Sequence, residues 1–186
     1  MKLGRLANIF ALLLVCACAA EAQDSKCALK LAQLPTAAEL RGFQPGMTIE
    51  QLKARLPKLR LPPADEFGFT AVNIFPDYEA WIDKAVFAGV RSISLEFLDG
   101  RLFSLWIGYD ASFKWKNVDE LVAGIAPQLN LPSAWQTKGR NRQLSCVDFQ
   151  VAVIPVGQSP SIRISDDAAR ELLEKRKAER EEAPRP

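Results

Sequence analysis

The feature that most constrains the fold is the segment 92–109, SISLEFLDGRLFSLWIGY, in which two β-rich runs meet at Asp99-Gly100. Two such runs separated by Asp-Gly predict a β-hairpin. We expect a three-residue loop that begins at Leu98 and places Gly100 at positive φ in a G1 bulge. This register pairs Leu95 with Phe103, whereas a two-residue loop would leave both faces of the hairpin half apolar.

The expected register assigns the side chains of the hairpin to two faces. The apolar face would carry Ile93, Leu95, Phe97, Phe103, Leu105 and Ile107. The mostly polar face would carry Ser92, Ser94, Glu96, Leu102, Ser104 and Trp106. Because side chains alternate along a strand, one face is expected to lie in a hydrophobic core.

The N-terminus predicts export. Lys2 and Arg5 precede an apolar run, residues 6–15, that is too short to span a bilayer but typical of a signal peptide. We predict a signal peptide over residues 1–22, with cleavage before Glu21 as a close second. Residues 15–18, VCAC, resemble a bacterial lipobox with Cys18 as the acylated residue. A secreted or periplasmic protein is therefore expected, with a lipid-anchored envelope protein as the alternative.

Cysteine usage agrees with export. Of the four cysteines in the chain, only Cys27 and Cys146 remain after removal of the leader. An even number of cysteines in an oxidising compartment predicts a disulfide between these two. The alternative is that Cys146 is an ordinary buried thiol in a strand.

The elements around the hairpin are predicted from their start signals. Thr48 with Gln51 forms a capping box at the start of a short helix that Pro57 ends, and Asn117 starts a second helix. Strands are expected over residues 67–75, 144–156 and 161–165. Residues 77–89 are ambiguous between a short helix, which we favour slightly, and an extension into a strand.

These elements predict an α+β fold, in which an antiparallel sheet centred on residues 92–109 carries helices on one face. A single domain over residues 23–165 is expected. The two helix starts match in their order of cap, apolar and acidic residues, which suggests two tandem helix-plus-strand halves, 42–110 and 115–165; chance similarity of amphipathic helices explains the match equally well. Residues 166–186 predict a charged, solvated helical tail, with a partner-binding helix as the alternative.

Several classes of chemistry are excluded by composition. The 186-residue chain has no histidine, which removes Ser-His-Asp and Cys-His nucleophiles and histidine-based zinc sites. Neither a Walker A loop nor a G-x-G-x-x-G motif is present. The net charge of +2 is spread along the chain, whereas nucleic-acid binding needs a basic cluster. We expect no metal, no cofactor and no nucleic-acid partner.

Carboxylates are the remaining candidates for catalysis. A hydrolase could use two of them as acid and base, as glycosidases do. The candidates are Glu96, Asp110, Asp148 and the group Asp77, Glu79 and Asp83. No spacing brings two of them together, so solvated or capping carboxylates are the simpler interpretation.

Aromatic residues give a second functional hypothesis. Trp106 falls on the mostly polar hairpin face with Leu102, Ser94 and Glu96, and a large ring among small polar residues is typical of a binding surface. Tyr109, Phe113 and Trp115 follow soon after it. A covering helix would also explain these rings, and is the explanation we favour. A third hypothesis is a carrier of a small apolar ligand between sheet and helices.

Two motifs within residues 46–105 carry a family resemblance. The string Gly46-Met47-Thr48-Ile49-Glu50-Gln51-Leu52, followed by LEFLDGRL at 95–102, resembles the helix start and hairpin of the SmpA/OmlA (BamE) envelope domains and, more distantly, the tandem modules of beta-lactamase inhibitory protein. The resemblance implies an exported module that binds other proteins and has no catalytic residues. We therefore predict a non-enzymatic protein-binding or envelope-accessory module whose partner is another envelope or secreted protein.

Overall fold

Two successive sets of one helix and antiparallel strands build one seven-stranded sheet in the computed structural model, which describes residues 26–110 and 114–182. The first set comprises α1 (Ile49–Arg55), β1 (Phe69–Ile74), β2 (Val90–Leu98) and β3 (Arg101–Tyr109). The second comprises α2 (Val118–Ile125), β4 (Gln136–Lys138), β5 (Asn141–Ser145), β6 (Phe149–Val156) and β7 (Ser159–Asp166), and α3 (Asp167–Glu182) follows. The predicted α+β fold with an antiparallel sheet is confirmed.

The sheet joins the two sets through their last strands. The strand order is β1-β2-β3-β7-β6-β5-β4, and β3 pairs antiparallel with β7. The hairpin of β2 and β3 therefore occupies the second and third positions of the sheet. The middle strand is β7, which lies about 60 positions after β3 in the sequence.

The predicted loop of this hairpin is wrong. Leu98 pairs with Arg101 across a two-residue loop, Asp99-Gly100, instead of the three-residue loop. The two loop residues have φ of 49° and 77°, as a type I′ turn requires, and this turn matches the twist of the strands that it joins. The expected positive φ at Gly100 is confirmed.

A bulge in β3 separates the apolar from the polar side chains of the hairpin, which the three-residue loop was expected to do. Phe97 pairs with Leu102, but Glu96 pairs with Ser104, so Phe103 is an extra residue without a pairing partner. The insertion shifts the following side chains by one position and returns them to the core face. Leu102 therefore lies in the core and Phe103 on the other face, which reverses the predicted places of these two residues.

Helices α1 and α2 cover one face of the sheet, as predicted. The Thr48 hydroxyl accepts a hydrogen bond from Gln51 N, and the Asn117 side chain accepts one from Glu120 N, so both predicted caps are present. Their buried residues join one core with the apolar side of the strands. On the central strands this side consists of Ile93, Leu95, Phe97, Leu102, Leu105, Ile107, Ile162 and Ile164.

Helix α3 departs from the prediction of a solvated tail. It lies on the opposite face, where Leu173 forms a smaller apolar cluster with Leu98 and Phe103. Arg176 also binds the Asp99 carboxylate through two hydrogen bonds of 2.9 and 2.8 Å. The charged helix therefore docks on its own sheet.

Two predicted elements differ. Residues 77–89 form turns and no regular helix. Their backbone hydrogen bonds are separate turn bonds, such as the one from Ile82 N to Glu79 O, and do not form a continuous helical series. The predicted strand 144–156 is split into β5 and β6 by a turn at 146–148, and no glycine or proline marks this break.

The predicted disulfide is present. Cys27 and Cys146 are bonded with a Cα–Cα distance of 4.5 Å, which ties the first described residues to the turn between β5 and β6. The predicted signal peptide and Cys18 lie outside the described residues. In the part of the chain that the structure describes, no helix is both long and apolar enough to cross a membrane.

Candidate binding face

The sheet presents a mostly polar surface on the side opposite α1 and α2, which we call the polar face. Side chains on adjacent strands lie in register across it, so that Ser94, Trp106 and Arg163 form one row. On β2, β3 and β7 the polar face includes Ser94 and Glu96, Ser104 and Trp106, and Arg163 and Ser165. Strict alternation with core residues forces these six side chains onto one face.

Trp106, Arg163 and Glu96 interact as a trio at the centre of the polar face, and Ser104 binds the arginine of this trio. The Arg163 guanidinium lies over the Trp106 ring, 5.9 Å from its centroid. Arg163 Nη2 donates to Glu96 Oε2 at 3.1 Å, and its Nε donates to Ser104 Oγ at 3.2 Å. The guanidinium is thus held in place by a carboxylate, a hydroxyl and an aromatic face, each of which suits its planar charge.

Small side chains surround this trio. Ala71 lies beside Glu96 on β1, and Ala152 lies beside Arg163 on β6. Ser94 completes the ring of short residues, whereas Trp106 remains partly exposed and packs with neither apolar cluster. The tryptophan and arginine are therefore large side chains that lie between the short side chains of Ser94 and Ala152 in their row.

Helix α3 limits the polar face at one end only. Its contacts with the sheet gather at the tip of the hairpin, around Leu98 and Phe103. Asn73, Ser94 and Trp106 remain accessible to solvent further along the strands. An antiparallel sheet can leave one face in water, but such a face does not need a tryptophan at its centre.

The structure brings together three of the four predicted binding residues. Ser94, Glu96 and Trp106 lie on the polar face, whereas Leu102 is buried on the opposite side of the sheet because of the bulge at Phe103. The expectation of a covering helix is wrong for Trp106. It holds for Trp115, which is buried and packs edge-on against Tyr109 with ring centroids 4.8 Å apart. Phe113 lies outside the described residues.

Arg163 is the main residue of this face that sequence reasoning missed. The alternation in SIRIS, residues 161–165, is enough to predict that Ser161, Arg163 and Ser165 share one face. The pairing of this strand with β3 has no local signal, because it joins positions such as Trp106 and Arg163 that lie far apart in the sequence.

The candidate carboxylates are dispersed over different elements. Glu96 lies on the polar face, whereas Asp148 lies in the β5–β6 turn, where its Oδ1 accepts Leu31 N at 2.7 Å. Asp110 follows β3, and its backbone N–H donates to Gly89 O. Asp77, Glu79 and Asp83 lie between β1 and β2, where Glu79 accepts a hydrogen bond from Trp81 Nε1.

Within residues 26–110 and 114–182, no three side chains of the His, Cys, Asp and Glu types are grouped so that they could hold a metal ion.

Comparison of the chain with protein-family models, with curated proteins and with solved structures found no match. The resemblance of residues 46–105 to exported binding modules therefore stays a prediction.

Proposed function

We propose that this protein is an exported, non-catalytic binding module whose polar face docks another envelope or secreted protein. The observation that carries the proposal is the partly exposed Trp106 at the centre of the sheet, with Arg163 fixed beside it. Tryptophan and arginine are the residues that most often dominate the binding energy of protein interfaces. Arg163 is held by Glu96 and Ser104 before any partner arrives, which lowers the entropic cost of binding.

The Cys27–Cys146 disulfide supports the compartment in this proposal. Its presence fits an oxidising environment outside the cytosol, where such bonds persist. Export itself rests on the predicted signal peptide.

Site-specific photocrosslinking tests the proposed surface. A photoreactive amino acid replaces the exposed Asn73, which lies on the polar face beside Ser94. On exposure to envelope and secreted fractions of the source organism, we expect a single protein adduct of defined mass. The same amino acid at Tyr78, which is 89% exposed in the connection between β1 and β2, should give no such adduct.

A matched pair of aromatic substitutions then assigns the binding energy. Trp106→Ala should weaken binding to the crosslinked protein by at least about tenfold, as expected for a central interface tryptophan. Tyr78→Ala removes another exposed ring and should leave the affinity unchanged. Equal affinities for Trp106→Ala and the wild type, with both proteins folded, would refute this surface.

A further inference from the structure

A second candidate site lies on the other side of the molecule from the trio, where the connection between β1 and β2 packs against the end of α1. A cleft of about 300 Å³ opens there. Its apolar lining includes Leu56, Trp81, Ile82 and Phe87. Val86, which is 52% exposed, stands at the same cleft and leaves apolar surface in contact with water.

Positive charge surrounds this apolar lining. Arg41, Arg55 and Lys58 all line the cleft, and no ion pair involves any of them within the described part of the chain. The one carboxylate in the lining belongs to Asp83, whose Oδ1 already accepts a hydrogen bond from Ala85 N at 2.9 Å. The cleft therefore has an apolar floor, and its rim carries more positively than negatively charged side chains.

Arg41 adds an unused hydrogen-bond donor. It ends the 3₁₀ turn Ala38–Leu40 with a φ of 53°, and its Nη2 donates to Ala88 O at 2.7 Å. Its Nε is buried and has no hydrogen-bond partner. A buried donor without an acceptor is unfavourable, and Arg41 lines the cleft, where an anionic ligand would lie close to its guanidinium charge.

Arg55 lies at the edge of the cleft with an exposed side chain. Its guanidinium rests against Gly42, whose φ of 77° favours glycine. No ion pair involves Arg55 within the described residues, so its charge is available to an anionic ligand.

We propose that this cleft binds a medium-chain carboxylate, with the chain against Trp81 and Phe87 and the carboxylate among Arg41, Arg55 and Lys58. An inorganic anion would leave the apolar lining in contact with water, and a neutral apolar ligand would leave the three positive charges without an anionic partner. The volume lies at the lower end of the range for small-molecule sites, which fits a single short chain. This proposal is independent of the polar face.

Calorimetric titration with decanoate tests the proposal, with 1-decanol and acetate as probes that lack the charge or the chain. Decanoate should bind saturably, and 1-decanol and acetate at least about tenfold more weakly. Arg55→Gln/Lys58→Gln should weaken decanoate binding by about tenfold, whereas Lys53→Gln, on the same helix but outside the lining, should not. Val86→Glu, at a half-exposed position that tolerates a polar residue, should also weaken binding because it adds a carboxylate.

A brominated decanoate locates the ligand, since bromine quenches nearby tryptophan fluorescence. Quenching should be lost in Trp81→Phe and should persist in Trp135→Phe, which removes a ring outside the lining. The proposal is overturned if decanoate does not saturate, if 1-decanol binds as tightly, or if quenching persists in Trp81→Phe. It is equally overturned if both Arg55→Gln/Lys58→Gln and Val86→Glu bind like the wild type.

Discussion

Asp99 and Gly100 turn the central hairpin through two successive positive φ values, 49° and 77°. A Cβ at Gly100 would meet no atom within 4 Å, so a substitution there changes only the backbone energy. We predict that Gly100→Ala lowers the free energy of unfolding by about 1 kcal/mol, the usual penalty for a non-glycine residue in this conformation. Urea denaturation measures the loss.

Gly100→Asn is the control for this prediction. Asparagine tolerates the left-handed conformation better than alanine, so this variant should retain more stability than Gly100→Ala. Wild-type stability in Gly100→Ala would show that the turn in solution is not the one described.

Glu39 is the buried acid whose ionisation matters for stability. Burial by itself would raise its pKa, but the hydrogen bonds that it accepts, led by one of 2.6 Å from Lys114 Nζ, hold the pKa below its ordinary value. Because the folded-state pKa is lowered, Glu39 contributes stability above the unfolded-state pKa, and this contribution is lost as the pH falls through the folded-state pKa.

The corresponding prediction concerns Lys114→Gln. At pH 7 this variant should lose about 1 to 2 kcal/mol of unfolding free energy, a modest amount for a buried carboxylate because Lys114 is half exposed. The loss should shrink as the pH falls through the lowered folded-state pKa of Glu39, since a protonated Glu39 no longer needs the cation. Urea denaturation at several pH values measures this loss.

The control is the same substitution in the Glu39→Gln background, where the loss should not vary over this pH range. A loss equally independent of pH in the wild-type background would contradict the role assigned to the Glu39 carboxylate.

At the scale of elements, α3 shows how a highly charged helix is fixed by very few contacts. Adjacent leucines differ sharply: Leu173 is 4% exposed in the cluster with Leu98 and Phe103, whereas Leu172 is 40% exposed. We predict that Leu173→Ala lowers the free energy of unfolding by about 2 kcal/mol, and that Leu172→Ala changes it by less than about 0.5 kcal/mol. Thermal or urea unfolding distinguishes the two, and equal losses would show that α3 does not dock through Leu173.

At the scale of the whole molecule, the disulfide closes the chain upon itself. It joins positions 119 residues apart, and hydrogen bonds from Val147 N to Leu29 O and from Leu31 N to Asp148 Oδ1 reinforce the same junction. We predict that Cys27→Ala/Cys146→Ala lowers the free energy of unfolding by about 4 kcal/mol, as expected for opening so long a loop. Urea denaturation compares the two proteins.

Mass spectrometry after alkylation checks the bond itself. The mature protein should show no alkylated thiol until it is reduced, and then two. Reductant should lower the unfolding midpoint of the wild type and leave that of the double variant unchanged. Two alkylated thiols without reductant would contradict the bond.

Local sequence signals determined the parts of the fold whose causes are local. The caps at Thr48 and Asn117 act within one turn of helix, and the Asp99-Gly100 pair fixes the hairpin through its own φ values. Elimination among four cysteines was enough to pair Cys27 with Cys146. Alternation paired Ser94 with Glu96 on β2 and Ser104 with Trp106 on β3, and the bulge at Phe103 brought these two pairs onto one face.

Tertiary structure alone decided the features that depend on distant partners. The two-residue loop placed Leu102 opposite Phe97 in the core, and the bulge at Phe103 kept Leu105 and Ile107 on the same side, because the whole apolar side of β3 must meet the core at once. Arg163 reaches Trp106 only through the pairing of β3 with β7, and the cluster that buries Leu173 exists only at the tip of the folded hairpin. Local propensities act over a few residues, whereas burial is decided by which surfaces meet, and only the folded chain brings those surfaces together.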